Sequence, residues 1–162
     1  MDNRLKDRIA VITGASSGLG RATAIRFAQS GARVVCADLR SSGVEKEIVS
    51  QYGDNSATFV VCDVTDESQI ENLIKEAVNW GGRLDIMCNY AGIAVEVSFA
   101  VSARCHEMDT KYFDRTWAIN TRGVWLCCKY ALRQMLEQEP REPNARGERT
   151  RGSIINAASM LG

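Results

Sequence analysis

Eight residues, "TGASSGLG" from Thr13 to Gly20, set three glycines and two serines directly behind an apolar run and at the start of a helical pattern. Residues of these types at this spacing can hold an anion. Gly14 permits a tight turn, Gly18 lets main chain approach a ligand, and Gly20 lets helix and strand pack closely. The amides that open the following helix, its dipole, and the hydroxyls of Ser16 and Ser17 together make a phosphate site. The loop has no GK[ST] ending, which excludes a P-loop NTPase, and it reads GxxxGxG rather than GxGxxG. Asp38 stands 18 residues past Gly20, where a carboxylate takes both hydroxyls of an adenine ribose. That favours NAD(H), because the same charge repels a 2′-phosphate. Arg40 lies close enough to keep NADP(H) open as the alternative. Asp63 and Val64 follow the third apolar run in a position to edge the adenine, with the carboxylate accepting its amino group. Asp63 can equally help cap the next helix.

These residues need a sheet to bring them together, and five apolar runs supply it: Arg8–Thr13, Ala32–Asp38, Ala57–Asp63, Leu84–Tyr90 and Gly152–Ala158. Unbroken apolar runs of this length suit parallel strands buried on both faces. Helical patterns separate them. The first is expected from about Gly18 to Ser30, carrying Leu19, Ala22, Ile25 and Phe27, with Gly31 past its end. A shorter one runs from Val44 to Tyr52. Ile70, Leu73, Ile74, Ala77 and Val78 form a clean amphipathic stripe behind Thr65 or Asp66 as N-cap, stopped by Gly81 and Gly82. A long helix spans about Asp109 to Gln138, where Gly123 suggests a kink or a close backbone approach. The stretch from Glu139 to Arg151 carries both prolines among mixed charges and reads as a solvated loop. Strand and helix alternate, so the layout is a doubly wound α/β parallel sheet with right-handed crossovers.

The chain has 162 residues, 45% hydrophobic and 25% charged, as expected for one globular domain. Twenty basic residues balance twenty acidic ones, leaving no net field to hold nucleic acid or an acidic membrane. No apolar run reaches the ~20 residues of a membrane span. The six cysteines make no CxxC pair and no signal peptide precedes Leu5, so reduced thiols and a cytoplasmic location are expected. Cys36, Cys62 and Cys88 read as small buried hydrophobes, and the single His106 completes no metal constellation.

Taken in order along the chain, TGxxxGxG at Thr13–Gly20, Asp38, "DV" at Asp63, "NYAG" at Asn89–Gly92, Asn120 in a long helix and the strand-borne Ser159 resemble the classical short-chain dehydrogenases/reductases. The resemblance implies a Rossmann-like sheet of five strands in the order 3-2-1-4-5, lacking the family's C-terminal strands and helices. Residues 1–162 are then a single, truncated NAD(P)-binding Rossmann domain. It makes Gly14, Ser16, Leu19 and Gly20, with Gly18 between them, the pyrophosphate loop. Asp38 becomes the ribose ligand and Asp63 with Val64 the adenine site, while Asn89, Ala91 and Gly92 line the nicotinamide side. Asn120 would orient the water of a proton relay, and Ser159 would hydrogen-bond the substrate oxygen as hydride moves. The implied partner is a small-molecule ketone or secondary alcohol, by analogy one of specialised metabolism. The family is usually homo-oligomeric, with part of its interface beyond these residues.

Two departures stand out. Tyr90 takes the place of the family's usual asparagine, which puts that asparagine's hydrogen bonds within the sheet in question. The family's catalytic tyrosine and lysine, spaced YxxxK, follow the serine. Here Tyr52, Tyr90, Tyr112 and Tyr130 are followed four residues on by Ser56, Ala94, Thr116 and Gln134. The chain as written is therefore expected to bind cofactor without turnover, and a catalytically inactive dinucleotide-binding module is the alternative reading. An S-adenosylmethionine methyltransferase also uses a glycine turn and an acidic second strand, but its GxGxG follows an acidic residue where this chain has Thr13.

Overall fold

The computed structural model describes residues 3–94, 104–143 and 146–158. Ser159, most of the loop after Ile93 (residues 95–103) and residues 144–145 lie outside the described residues. The five apolar runs form β1 (Ile9–Thr13), β2 (Arg33–Asp38), β3 (Ala57–Val61), β4 (Ile86–Asn89) and β5 (Ser153–Asn156). All pair in parallel, in the order β3-β2-β1-β4-β5. Every residue of β1 and β4 is buried, which is why these strands read as unbroken apolar runs rather than alternating ones. The edge strands β3 and β5 are more open.

Helices α1 (Gly18–Gln29) and α2 (Val44–Tyr52) follow β1 and β2, and their buried residues join Ile12, Val34 and Cys36 in one core layer. Helices α3 (Glu67–Gly81) and α5 (Val124–Glu137) cover the other face, where Ile70, Leu73, Leu126 and Ala131 meet Val11, Val35 and Met87. Of the two N-cap candidates for α3, Asp66 takes the role, accepting the amides of Ser68 and Gln69. Gly82 ends the helix in the left-handed region at φ +82°.

Two expectations change. In α1 the buried face is Gly20, Ala24 and Ala28, while Leu19 and Ala22 are exposed. Small residues are what allow this helix to lie close to the sheet. The long helix is also not continuous: α4 (Thr110–Thr116) passes into a π-helical turn, Trp117–Gly123, before α5 begins. Gly123 makes the expected close approach, since a Cβ there would lie 2.9 Å from Val64 Cγ2 and 3.0 Å from Val64 O.

The segment after α5 is not simply solvated. Arg141 reaches back to Asp85, just ahead of β4, with Nε to Oδ1 at 2.9 Å and a second guanidinium nitrogen to Oδ2 at 2.7 Å. Asp85 is 3% exposed and also accepts the Ile9 amide and the Arg83 Nε. A carboxylate buried this deeply requires such partners, and the loop supplies one.

Strand register then sets the functional end of the sheet. Thr13 pairs with Ala37 on one side and Asn89 on the other, and Asn89 pairs with Asn156. The residues that follow these strands therefore emerge side by side at the carboxyl edge.

Candidate functional site

The glycine loop leaves β1 through Gly14, at φ +68°. A Cβ at Gly14 would sit 2.8 Å from the Ala91 amide nitrogen and 2.9 Å from the Tyr90 carbonyl, so the position is closed to a side chain twice over. Thr13 explains this closeness. Its buried hydroxyl accepts the amides of Tyr90 and Ala91, each at 3.2 Å, and donates to the Cys88 carbonyl. The joint between β1 and the end of β4 thus uses the main chain of residue 90, and a tyrosine there does not disturb it.

Gly20 makes a close approach of a different kind from the one expected. A Cβ there would run into Gly14 O and lie 2.7 Å from Gly14 C, so it closes the loop on its own beginning. Gly18, at φ +50°, faces nothing within 4 Å. The first bond of the α1 ladder is Arg21 N–H to the Ser17 carbonyl, and the Ser17 side chain makes no cap. The amides of Gly18, Leu19 and Gly20 therefore precede the ladder, next to open space, at the positive end of the helix.

Ser16 is placed differently from a free anion donor. Its amide donates to Asp38 Oδ2 at 3.0 Å, and its hydroxyl donates to the Arg40 carbonyl. Asp38 accepts the Leu39 amide on its other oxygen at 2.7 Å, and it lines the cavity with one face of its carboxylate tied to the loop. Asp63 forms a local turn, its Oδ1 accepting both the amide and the hydroxyl of Thr65. Val64 is buried against Gly123.

At the far side Asn120, inside the π turn, pairs its side-chain amide with the main chain of Ile93: Oδ1 accepts the Ile93 N–H at 2.9 Å, and Nδ2 donates to its carbonyl at 2.8 Å. It staples the segment that leaves Gly92. Asn89 is 2% exposed and donates to Asn156 Oδ1 at 2.7 Å. Its own Oδ1 is the one buried side-chain polar atom among the described residues without a partner. Burial of the Cys62 thiol, with Asp63 and Asp66 nearby, pushes its pKa up to about 12, so it lines the cavity as a neutral group.

These pieces enclose one cavity of about 440 Å³ that runs from Asp38 and Leu39 past the glycine loop, Asp63 and Val64 to Ala91, Gly92 and Ala157. It brings together Gly14, Gly18, Leu19, Gly20, Asp38, Asp63, Val64, Ala91 and Gly92. Ser16 and Asn89 support it from behind, and Asn120 holds its rim. Leu39, Tyr90, Ile93 and Ile119 also line it, and sequence reasoning did not single them out for that role. Apolar residues beside a site carry no spacing signal. Thr13 did carry one, since a hydroxyl inside an apolar strand must find partners.

The sequence profile of the short chain dehydrogenase family matches residues 8–162. Secoisolariciresinol dehydrogenase of Forsythia intermedia is 36% identical over 157 residues, which cover 97% of this chain and 51% of that protein. The (+)-cis,cis-nepetalactol synthase of Nepeta racemosa is 36% identical over 138 residues, 85% of this chain and 49% of that protein. Among solved structures, a short chain dehydrogenase from Mycobacterium smegmatis superposes with a TM-score of 0.83 at 27% identity, covering 99% of this chain and 61% of its own. The chain thus spans about half the length of the curated relatives it matches.

Proposed function

This chain belongs to the short chain dehydrogenase family, and from that premise we propose that its cavity binds a nicotinamide dinucleotide, NAD(H) in preference to NADP(H). Residues 1–162 form the single binding unit for it. The whole protein then interconverts a ketone and a secondary alcohol of small-molecule metabolism, in the cytoplasm, where the six cysteines that are free thiols in the structure suit a reducing compartment.

The observation that carries the reading is that the start of α1 at Gly18 and the carboxylate of Asp38 line one and the same cavity. Gly18 holds a left-handed conformation at the start of α1 and lines the cavity, where amides that precede the helix ladder suit a phosphate. The amides of Gly18, Leu19 and Gly20 would hold the pyrophosphate. Ser16 fixes the loop to β2, and Asp38 would take the adenosine ribose hydroxyls on lone pairs left free by its two main-chain bonds. Asp63 Oδ2 accepts no hydrogen bond from the described residues and would take the adenine amino group, and Val64 supports it with apolar surface. Gly92, Ala91 and Ile93 give a flat wall for the nicotinamide end, which Asn120 holds in place through Ile93.

When bound, the nicotinamide supplies or receives the hydride. The chain's own contribution is to orient the substrate oxygen and exclude water around it. Ser159 would donate to that oxygen, three residues past Asn156, whose partner Asn89 ends β4. Asn120 is assigned the relay water, held by groups its bonds to Ile93 leave free. A homo-oligomer is proposed as well, supported by the exposed apolar side chains of Phe113, Trp117, Trp125, Leu132 and Leu136 along α4, the π-helical turn and α5. The relatives named for secoisolariciresinol and nepetalactol support specialised metabolism as the substrate's setting.

A second reading, a dinucleotide-binding module without turnover, concerns these 162 residues taken by themselves, where no tyrosine has a lysine four positions on. Titration with NADH and NADPH tests the shared core of both readings. Saturable binding with NADH tighter supports it, and equal or tighter NADPH binding removes the role given to Asp38.

A further inference from the structure

The π-helical turn, whose Ile119 lines the cavity, also braces the residues around it at three positions. Asn120 grips Ile93 on one wall, and Gly123 closes on Val64 at the other. Between them Arg122 Nη1 donates to the Thr65 carbonyl at 2.8 Å. Thr65 is the residue that Asp63 Oδ1 holds by both its amide and its hydroxyl. One short segment is thus bonded at one end to the Asp63 carboxylate and at the other to the Arg122 guanidinium. A second guanidinium nitrogen of Arg122 lies 3.9 Å from Glu67 Oε2, a carboxylate already engaged by Lys129 and Tyr130. Arg122 itself does not line the cavity.

We infer that Arg122 is a positioning residue for the adenine side of the site: it fixes the Asp63–Val64–Thr65 corner, so that affinity for the adenosine half of a ligand depends on a side chain that never meets it. The inference rests on the dinucleotide reading above. Two other bonds brace the corner, from the Asp66 amide to the Asp63 carbonyl at 3.0 Å and from the Asp63 amide to Gln69 Oε1 at 2.9 Å. Both act on Asp63, and among the described residues Arg122 alone bonds the Thr65 carbonyl, so losing it leaves the outer half of the turn held through Asp63 only. A ligand must then order that half on binding, at a cost in affinity.

The test uses the full chain with Arg122→Ala and Arg122→Lys, read by calorimetry with ADP-ribose and NADH and by amide hydrogen exchange without ligand. Arg122→Ala should weaken ADP-ribose binding by about three- to tenfold, the scale of one half-exposed charge-assisted bond. Lysine keeps one donor and should restore binding to within about twofold. Exchange at Thr65 and Asp66 should quicken in the alanine variant and not in the lysine variant. A merely structural effect is separated by background: the loss should shrink when Asp63→Asn is already present and persist in full with Asp38→Ala. A wild-type chain that binds both ligands while Arg122→Ala matches it, or shows the same loss in every background, overturns this inference alone. A wild-type chain that takes up neither ligand overturns the dinucleotide reading and the inference with it.

Discussion

Asp38 Oδ2 accepts the main-chain N–H of Ser16 at 3.0 Å, so the carboxylate that ends β2 is fastened to the glycine loop that leaves β1. The residue proposed to choose the cofactor is therefore also one that shapes the phosphate cradle. Asp38→Ala should narrow the preference for NADH over NADPH by about 1–3 kcal/mol, the worth of hydrogen bonds to a charged group. It should also weaken NADH outright. Titration of both cofactors against both proteins checks this, and an unchanged ratio would remove Asp38 from the discrimination.

The loop's glycines should fail in different ways. A Cβ at Gly20 meets Gly14 main chain, which cannot give way as a side-chain end can, so Gly20→Ala should cost about 1–3 kcal/mol of folding stability. Gly18→Ala meets no atom and carries only the penalty of a left-handed residue, about 1 kcal/mol. Its methyl group would stand in the space assigned to the phosphate. Denaturant melts and NADH titrations on the two variants should separate: Gly20→Ala loses more stability, and Gly18→Ala loses binding while still folded.

At the opposite end of the sheet, Asp85 and Arg141 predict an acid limit. Burial alone raises the Asp85 pKa, but the bonds from Arg141 and the Ile9 amide and the Arg83 charge outweigh it, and the folded value lies below the ordinary carboxylate range. A depressed folded pKa gives stability that is present above the unfolded value, about 3.9, and is lost as pH falls through the folded one. Arg141→Ala should cost about 2–4 kcal/mol near neutral pH, because it leaves a buried charge short of a partner. The penalty should fade in acid as Asp85 takes up a proton. Melting curves at several pH values measure both effects, and a pH-independent penalty would contradict the assignment.

Why some of this was legible in the sequence and some was not follows from particular residues. The strands could be read because β1, β2 and β4 are buried on both faces, and burial on both faces writes an unbroken apolar run. The N-cap, narrowed to Thr65 or Asp66, and the stop at Gly81 and Gly82 are local chemistry and readable for that reason; the structure selects Asp66. The π turn was not readable, because one added residue in a helical turn alters no composition and hardly alters periodicity. Gly123 marked the place without naming the cause. Arg141 sat among charges that looked solvated, and only the buried Asp85, distant in sequence, gives it an inward role. The buried face of α1 was missed because alanines and glycines packed against a sheet leave a weak apolar signal beside Leu19 and Phe27.

Binding and turnover should come apart for the 162-residue chain. Hydride transfer to a ketone needs a proton in the same step, and a positioned acid typically contributes about 10² to 10⁴ in rate. The purified chain should bind NADH without oxidising it in the presence of a panel of ketones. Adding a family-like tail with YxxxK should create activity, and Ser159→Ala in that longer protein should remove most of it. Brisk NADH oxidation by the 162 residues alone would show that the proton comes from elsewhere.

Amide chemical-shift mapping on the isotope-labelled chain decides whether the cavity between Asp38 and Gly92 is a dinucleotide site. Titration with NADH should give saturable shifts at Gly14, Gly18, Leu19, Gly20, Leu39, Val64, Ala91 and Gly92, with the Asp85–Arg141 end of the sheet unmoved. Shifts that gather instead in the groove between α3 and α5, around Glu71 and Arg133, or no saturable shifts at all, would contradict the dinucleotide assignment.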